Sequence, residues 1–559
     1  MNKRVYNRNY NFRMIGSITF LSFLTIQTCL SADKRIIHPN RAPKTINLHH
    51  DEFNVLMSYM GNLEGTITHN PINNPALRDG DNRIVYGFTS SNDKITWTVK
   101  APETAKYRVA VHYTGKMYLS DDAQVIQNER RFGPKKWDPK SVVAVYANNK
   151  TLSNELSRVT QYNEPNKVAG ARQWLGGLLP LKKGENRVTL HFSRLSDHQI
   201  QAAQNELKEG TLSKSTVSLG IKSIELVRPE ASETMNNRAQ KLKSDTQWMV
   251  DGKYGLFIHW SLFTYPLYGD QQAYKTFEWG VNTFDVEAFA EMVQETGASW
   301  VTFTTCHGRQ MFPAPIKALD NVLPGRTTKR DLIAELADAL NKRNINLLLY
   351  YNFSGGDTEF AEAVGMLDEN PQKWFQYLID FGSEVSRRYG EKVAGWGYLD
   401  STVSAYELNM PWEPFFRALK AGNPDAIVGI SSHWWAEFSP FNDLQTADSG
   451  GSMINPLNPV LYEKGGRYDG MQRHFSFVLD GSWIPREPYS GVIRANSKAS
   501  GGPTHPFREY INYFLKMDKA DVPITVNIMI TQDVTRDQPF VNPKSLELMR
   551  EIRRAVWGK

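Results

Sequence analysis

Asp400 closes the run Gly395-Trp-Gly-Tyr-Leu-Asp400, an acid placed directly after an apolar stretch. Imidazoles follow two similar runs: His259 stands in Phe257-Ile-His-Trp260, and His307 comes after Trp300-Val-Thr-Phe-Thr-Thr-Cys306. Asn352 follows Asn346-Leu-Leu-Leu-Tyr-Tyr351, while His433, Asp448 and Asp480 with Trp483 come after three more such segments. Carboxylates, imidazoles and indoles gathered at one place suit the handling of sugars. Glycosidic cleavage takes two carboxyl groups, and a binding pocket combines aromatic walls with a few convergent polar groups. Each residue also has a plainer reading. An acid after an apolar strand often caps the next helix, Asp448 in Gln445-Thr-Ala-Asp-Ser-Gly-Gly451 suits a turn, and His259 suits a core. Trp279, Trp434 and Trp483 are candidate sugar platforms that equally suit packing. Recurrence at the same end of successive segments favours chemistry.

The elements that must position these residues fall into two textures. Residues 47–229 carry short alternating runs, among them Lys94-Ile-Thr-Trp-Thr-Val-Lys100, Lys106-Tyr-Arg-Val-Ala-Val-His-Tyr113 and Asn186-Arg-Val-Thr-Leu-His-Phe192. Period-two alternation bounded by turn residues predicts strands, here an all-β sandwich resembling carbohydrate-binding modules. Trp137, Trp174 and Tyr113 are its candidate stacking residues. Residues 230–249 are polar and helix-prone and read as a linker. From 250 to 559 strands alternate with amphipathic helices. Strands are expected at Tyr254–His259, Trp300–Thr305, Asn346–Tyr351, Val393–Asp400, Ala426–Ser431, Asp443–Asp448, His474–Asp480 and Pro523–Ile530. Eight strands, most followed by helices, predict a (β/α)8-like barrel, whose active site lies at the C-terminal ends of its strands. A Rossmann-type sheet lacks its Gly-x-Gly-x-x-Gly turn. The whole is thus a multidomain chain, α/β plus all-β, with the barrel preceded by the β-sandwich.

Composition narrows the class. The 559 residues are 41% hydrophobic and 22% charged, as in ordinary globular proteins. Lys3, Arg4, Arg8 and Arg13 supply four of the +6 formal charge, so the rest of the chain is close to neutral and carries no nucleic-acid footprint. Those cations precede an apolar run at 14–30, and Ser31-Ala32 follows. That is the pattern of a signal peptide over 1–32. The expectation is export to the periplasm or outside the cell, with no membrane span in the mature form and lipid tethering through Cys29 as an alternative. Cys29 and Cys306 are the only cysteines, which excludes a disulfide framework after cleavage. No Cys/His spacing resembles a metal site, and neither metal nor cofactor is expected.

Several of these segments resemble glycoside hydrolase family 29, the retaining α-L-fucosidases. Lys253-Tyr-Gly-Leu-Phe-Ile-His-Trp260 is close to the family's first strand, and Phe284-Asp-Val-Glu-Ala-Phe-Ala290 with Thr296-Gly-Ala298 resembles its first helix and turn. Ile345–Tyr351 and Ile524-Thr-Val-Asn-Ile-Met-Ile530 resemble its third and last strands. The resemblance, over about residues 247–558, implies Asp400 as nucleophile and Asp448 as acid/base, with Glu437, Asp443, Asp480 and Glu487 as rivals for the second role. It implies sugar contacts from His259, Cys306, His307, Tyr351, Tyr398, His433, Trp434, Trp483 and Trp279. Three departures stand out: Cys306-His307 replaces a His-His pair, Tyr398 replaces a tryptophan, and Ser431-Ser-His-Trp-Trp435 lacks an arginine. The implied activity is removal of a terminal α-L-fucosyl or related sugar (substituted, galactose-like or anhydro) from an oligosaccharide or polysaccharide. A non-catalytic glycan-binding protein on a degenerate barrel is the alternative. A metal-dependent hydrolase would need more ligands than the single histidine of strand one.

Overall fold

The computed structural model describes residues 45–558 except 70–83, 115–140, 157–169, 210–217, 261–272, 308, 354–356, 367, 369–370, 401–404, 406–407, 432–438, 447–452, 454–468, 482, 484–501, 531 and 533–540. The expected leader, Cys29 and Trp137 lie outside the described residues.

The chain is mixed α/β, with a β-rich N-terminal region and a barrel-like parallel sheet after it. In the N-terminal region one sheet runs in the order Ile46–Asn47, Lys94–Ala101, Gly184–Arg194, Val142–Ala147, Lys150–Glu155. A second is built on Ala105–Thr114 and Gly220–Val227, joined by Gly170–Trp174 and Asn54–Met57 among others. Alternation sends Ile95, Trp97, Val99, Val188, Leu190 and Phe192 of the first sheet into one hydrophobic cluster with Val109, Val111, Ile224 and Leu226 of the second. Tyr113 is fully buried in that cluster, so it offers no stacking surface. Trp174 is flanked instead by the guanidinium groups of Arg108 and Arg172, 4.3 and 4.4 Å from its ring. The all-β expectation needs one correction: Asp197–Glu209 is a helix. Its segment lacks β-branched residues apart from Ile200, and Gln199, Ala203 and Glu206 form its buried side at a helical spacing.

The stretch expected as a linker forms two helices, Pro229–Leu242 and Gln247–Gly252. Among the described residues seven parallel strands follow: β1 (Tyr254–Ile258), β2 (Trp300–Thr304), β3 (Asn346–Asn352), β4 (Gly395–Asp400), β5 (Ile427–Ile430), β6 (Phe475–Val478) and β7 (Ile524–Asn527). Their order in the sheet is β5-β4-β3-β2-β1-β7-β6. The segment expected as the sixth strand appears only as bridges, Ser431 with Thr446 and Leu444 with Gln472, both parallel. The helices include α1 (Val286–Thr296), α2 (Leu332–Asn341), α3 (Gln372–Tyr389), α4 (Trp412–Leu419), α5 (Phe507–Lys519) and α6 (Pro543–Trp557). Asp285 and Asp331 cap α1 and α2 by accepting from Ala288 N and Ala334 N, and Gly297 ends α1 in the left-handed region. The apolar faces of these helices pack on the outward side chains of the strands in a single large cluster.

Candidate active site

Successive side chains of a strand point to opposite faces, so residues two apart at the strand ends share a face. Phe257 on β1 with His259 just beyond its end, Tyr350 and Asn352 on β3, and Tyr398 and Asp400 on β4 form one such set. Their rings interlock: Tyr350 stacks on Tyr398 at 5.7 Å, and Phe257 lies 5.7 Å from Tyr350 and 5.3 Å from Tyr398. His259 packs against Tyr350 at 5.2 Å, His307 at 5.3 Å and Trp483 at 5.5 Å.

Asp400 stands at the centre of this set, at the last position of β4. Its Oδ2 accepts a 2.6 Å hydrogen bond from the Tyr350 hydroxyl and a longer one, 3.5 Å, from Asn352 Nδ2. Burial, reinforced by the Asp400 charge, holds the Tyr350 phenol far above its ordinary value, so it remains a donor. Two donors orient one carboxylate oxygen and disperse its charge.

His259 is buried, and its imidazole is pushed down to about 3 by burial, with His307 adding to the effect. It is therefore neutral near pH 7, and its neighbours set the tautomer. Asn527 Nδ2 donates to the Trp483 carbonyl at 3.0 Å, which turns Asn527 Oδ1 toward His259 Nδ1 at 3.2 Å. Nδ1 must then carry the proton, leaving Nε2 as an acceptor suited to a hydroxyl.

The expected site residues divide. Asp400, His259, His307, Tyr398 and Trp483 come together. Tyr398 is supported from behind by Ser431 Oγ, which donates to its hydroxyl at 3.0 Å. Cys306 is 4% exposed and lines a small pocket with His307, Arg309, Trp260, Phe277, Thr305 and Met311. Burial pushes its thiol up to about 12, so it stays neutral. Tyr351 requires a correction. It points to the opposite face of β3 and stacks on Phe381 of α3 at 4.5 Å. The tyrosine that reaches Asp400 is its neighbour Tyr350, which the strand-end reading missed. Trp279 packs against the hydrophobic core. His433, Trp434 and Asp448, with Glu437 and Glu487, lie outside the described residues.

Two rivals for the second carboxyl role have structural occupations. Asp443 accepts from Ser244 N at 2.9 Å, Val428 N at 2.9 Å and Lys420 Nζ at 2.7 Å, near the start of β5 and so at the other end of the strands from Asp400. Asp480 accepts from Ser545 Oγ at 2.5 Å and Met529 N at 2.7 Å, and burial raises its carboxyl to about 6. Among the described residues no group of three or more His, Cys, Asp or Glu side chains is placed to hold a metal ion. No helix among them is long and apolar enough to cross a membrane.

Two predictions arise here. Tyr350→Phe removes one hydrogen bond to a charged acceptor without opening a cavity. Such bonds contribute about 1.5–3 kcal/mol to the folded state, so Tm should fall by a few degrees, and kcat on a hydrolysed glycoside should fall by roughly ten-fold as Asp400 loses its orienting donor. A rate within twofold of wild type would mean that the bond does not matter to Asp400. The second concerns acid stability. His259 titrates at about 3 and His474, buried against Gln445 O, at about 4. Below the ordinary histidine value the unfolded chain binds protons that the folded chain refuses, so stability falls as pH drops from 6.5 toward 3. Glu52, raised to about 7 by burial, and Asp480 act with the opposite sign, since the folded chain holds their protons longer. Below about pH 4 that opposing contribution is spent. Thermal melts should therefore give a shallow profile from pH 6.5 to 4.5 and a steep decline below 4. A Tm still rising at pH 3.5 would contradict it.

Residues 223–453 match the model of the alpha-L-fucosidase family. The mouse tissue alpha-L-fucosidase is 29% identical over 199 residues, covering 30% of this chain and 39% of that protein. The human enzyme is 30% identical over 154 residues, covering 22% and 31%. The chain thus spans about a third of the length of the curated relatives it matches. Among solved structures, a family 29 alpha-L-fucosidase from Bacteroides thetaiotaomicron aligns at 17% identity with a TM-score of 0.38, over 56% of this chain and 74% of that one. AlfC of Lactobacillus casei, solved with its alpha-L-fucose product, aligns at 16% identity with a TM-score of 0.35, over 56% and 97%.

Proposed function

We propose, from the match of residues 223–453 to the alpha-L-fucosidase family, that this chain is a glycoside hydrolase. In this reading it releases a terminal α-L-fucosyl or closely related sugar with retention of configuration. The observation that carries the proposal is the carboxylate of Asp400, held by Tyr350 and Asn352 at a strand end and faced by a neutral His259. Parallel strands whose C-terminal ends converge on polar side chains fit a (β/α)8-like barrel, and the bridges made by Leu444 and Thr446 support closure of the sheet between β5 and β6.

In the proposed reaction an Asp400 oxygen attacks the anomeric carbon while the bond to the leaving oxygen breaks and a carboxylic acid protonates that oxygen. The same acid, as carboxylate, then takes a proton from water, whose oxygen displaces Asp400. Asp448 is the residue assigned to this role. His259 and His307 bind ring hydroxyls, and Trp483 offers an aromatic face. The N-terminal leader supports an exported protein, periplasmic, extracellular or held by lipid at Cys29, with an oligosaccharide or polysaccharide as substrate.

The test is hydrolysis of aryl α-L-fucoside, α- and β-galactosides and their methylated and anhydro relatives, beside oligosaccharides that contain the same terminal sugars. Turnover of one α-L-fucoside or relative, with the released sugar first appearing in the configuration of the substrate, is expected. Glycan binding without hydrolysis of any member would replace the proposal with that of a non-catalytic binding protein.

A further inference from the structure

Helix α4, which follows Asp400, starts without a cap from its own chain neighbourhood. Its N-cap residue is Pro411, whose side chain accepts no hydrogen bond, yet the first N–H groups of a helix need acceptors. Glu52, from the β-rich N-terminal region, supplies them. It accepts from Trp412 N at 2.6 Å and Glu413 N at 3.0 Å while itself only 6% exposed. Arg238, on the helix Pro229–Leu242, closes the same corner by donating to Glu413 at 2.7 Å and to the Asp51 carbonyl at 2.6 Å.

Three residues before the helix, Asn409 is gripped by the same region. Its backbone is left-handed, with φ of 56°. Its Oδ1 accepts from Val55 N at 3.0 Å, and its Nδ2 donates to Asn47 O at 2.8 Å and Asn54 Oδ1 at 2.9 Å. Its own carbonyl is met by His49 Nε2. Asn54 is anchored in turn, donating to the carbonyls of His49, Glu52 and Leu226, each at 3.1 Å. Met410 N reaches back to the Ala405 carbonyl at 2.9 Å, and the far end of α4 is tied to β4 itself, since Trp396 Nε1 donates to Leu419 O at 3.2 Å. Helix α4 is therefore held at its start by a different part of the protein and at its end by β4, the strand that carries Asp400.

We propose that Glu52, Asn54 and Asn409 are positioning residues: through them the N-terminal region fixes helix α4, which is tied to β4, so that the Asp400 carboxylate at the end of β4 keeps its aim. This rests on the reading of Asp400 as nucleophile. The N-terminal region then contributes to the reaction whether or not it binds glycan.

The test uses the full chain carrying Asn409→Gly, which keeps the left-handed backbone and removes the amide, Asn409→Ala, Glu52→Ala and Glu52→Gln. Hydrogen–deuterium exchange is read on peptides spanning 405–419, and kcat and KM are measured well below each variant's Tm. Faster exchange confined mainly to that segment is expected, together with a kcat about ten-fold lower or more and a KM changed by less than about threefold, in keeping with the rate cost of a misplaced reacting group. Glu52→Gln, which keeps one acceptor, should recover part of the loss. A lower Tm with kcat within twofold would reduce these residues to a structural role and overturn the proposal, as would unchanged exchange in Asn409→Gly and Glu52→Ala. If the wild type hydrolyses no glycoside, the functional reading falls and the positioning role falls with it, whereas unaltered kcat in the variants of an active wild type sinks only the clamp.

Discussion

Asp400→Asn is expected to yield a folded protein with kcat lowered by about a thousand-fold or more, a barrier increase of roughly 4 kcal/mol. The substitution is nearly isosteric and keeps an oxygen that Tyr350, now 2.6 Å from Oδ2, can donate to. What it removes is the negative charge and the nucleophilic oxygen on which a covalent intermediate depends. The measurement is turnover of the sugar identified for the wild type, beside a thermal melt, which should change by no more than a few degrees. Asp400→Gly adds a sharper arm: supplied azide can attack the anomeric carbon in place of the missing carboxylate, giving a glycosyl azide of inverted configuration. Full activity in Asp400→Asn would end the proposed mechanism, and a collapsed melt would make Asp400 a structural acid.

The largest effect on stability is expected from Lys420→Met. Lys420 is buried on α4's C-terminal side, and its ammonium donates to Leu242 O at 2.6 Å, Ser244 Oγ at 2.6 Å and Asp443 Oδ2 at 2.7 Å. Burial lowers its basicity while Asp443 opposes the shift. Methionine fills much of the same volume but strands a carboxylate that has no exposed surface. Removing one partner of such a pair costs about 3–5 kcal/mol, whereas the intact pair adds little beyond an apolar replacement. Urea unfolding should therefore show a free energy lowered by that amount, seen as a lower midpoint at an unchanged slope. A loss under about 1 kcal/mol would mean that Ser244 N and Val428 N alone satisfy Asp443. The same geometry explains why Asp443 is a poor candidate for the acid: its oxygens are taken up by Ser244 N, Val428 N and Lys420 Nζ, away from Asp400.

Much of the frame was legible in the residues. The helix at 332–341 follows from its capping aspartate and apolar spacing, and α6 from Asn542-Pro543 at its start and Gly558 at its end. The parallel strands follow from short apolar runs between amphipathic helices, and Asp400 and His259 from their places after such runs. The Tyr350–Tyr351 choice shows where this reasoning stops. Asn346-Leu-Leu-Leu-Tyr-Tyr-Asn352 is buried along both faces, and a strand covered on both sides carries no polar alternation to mark its inner face. The occupation of Asp443 was equally hidden, because Lys420 and Ser244 reach it only through packing.

Residue type and periodicity by themselves determined that this protein has a β-rich first part, a parallel α/β second part and an acid poised at a strand end, since those are local properties of the chain. The tertiary structure alone decided which tyrosine supports that acid, which carboxylates are consumed by the frame, and that Glu52 caps a helix some 360 residues away. Partners so distant in sequence leave no local pattern, because their meeting depends on the packing of the whole chain.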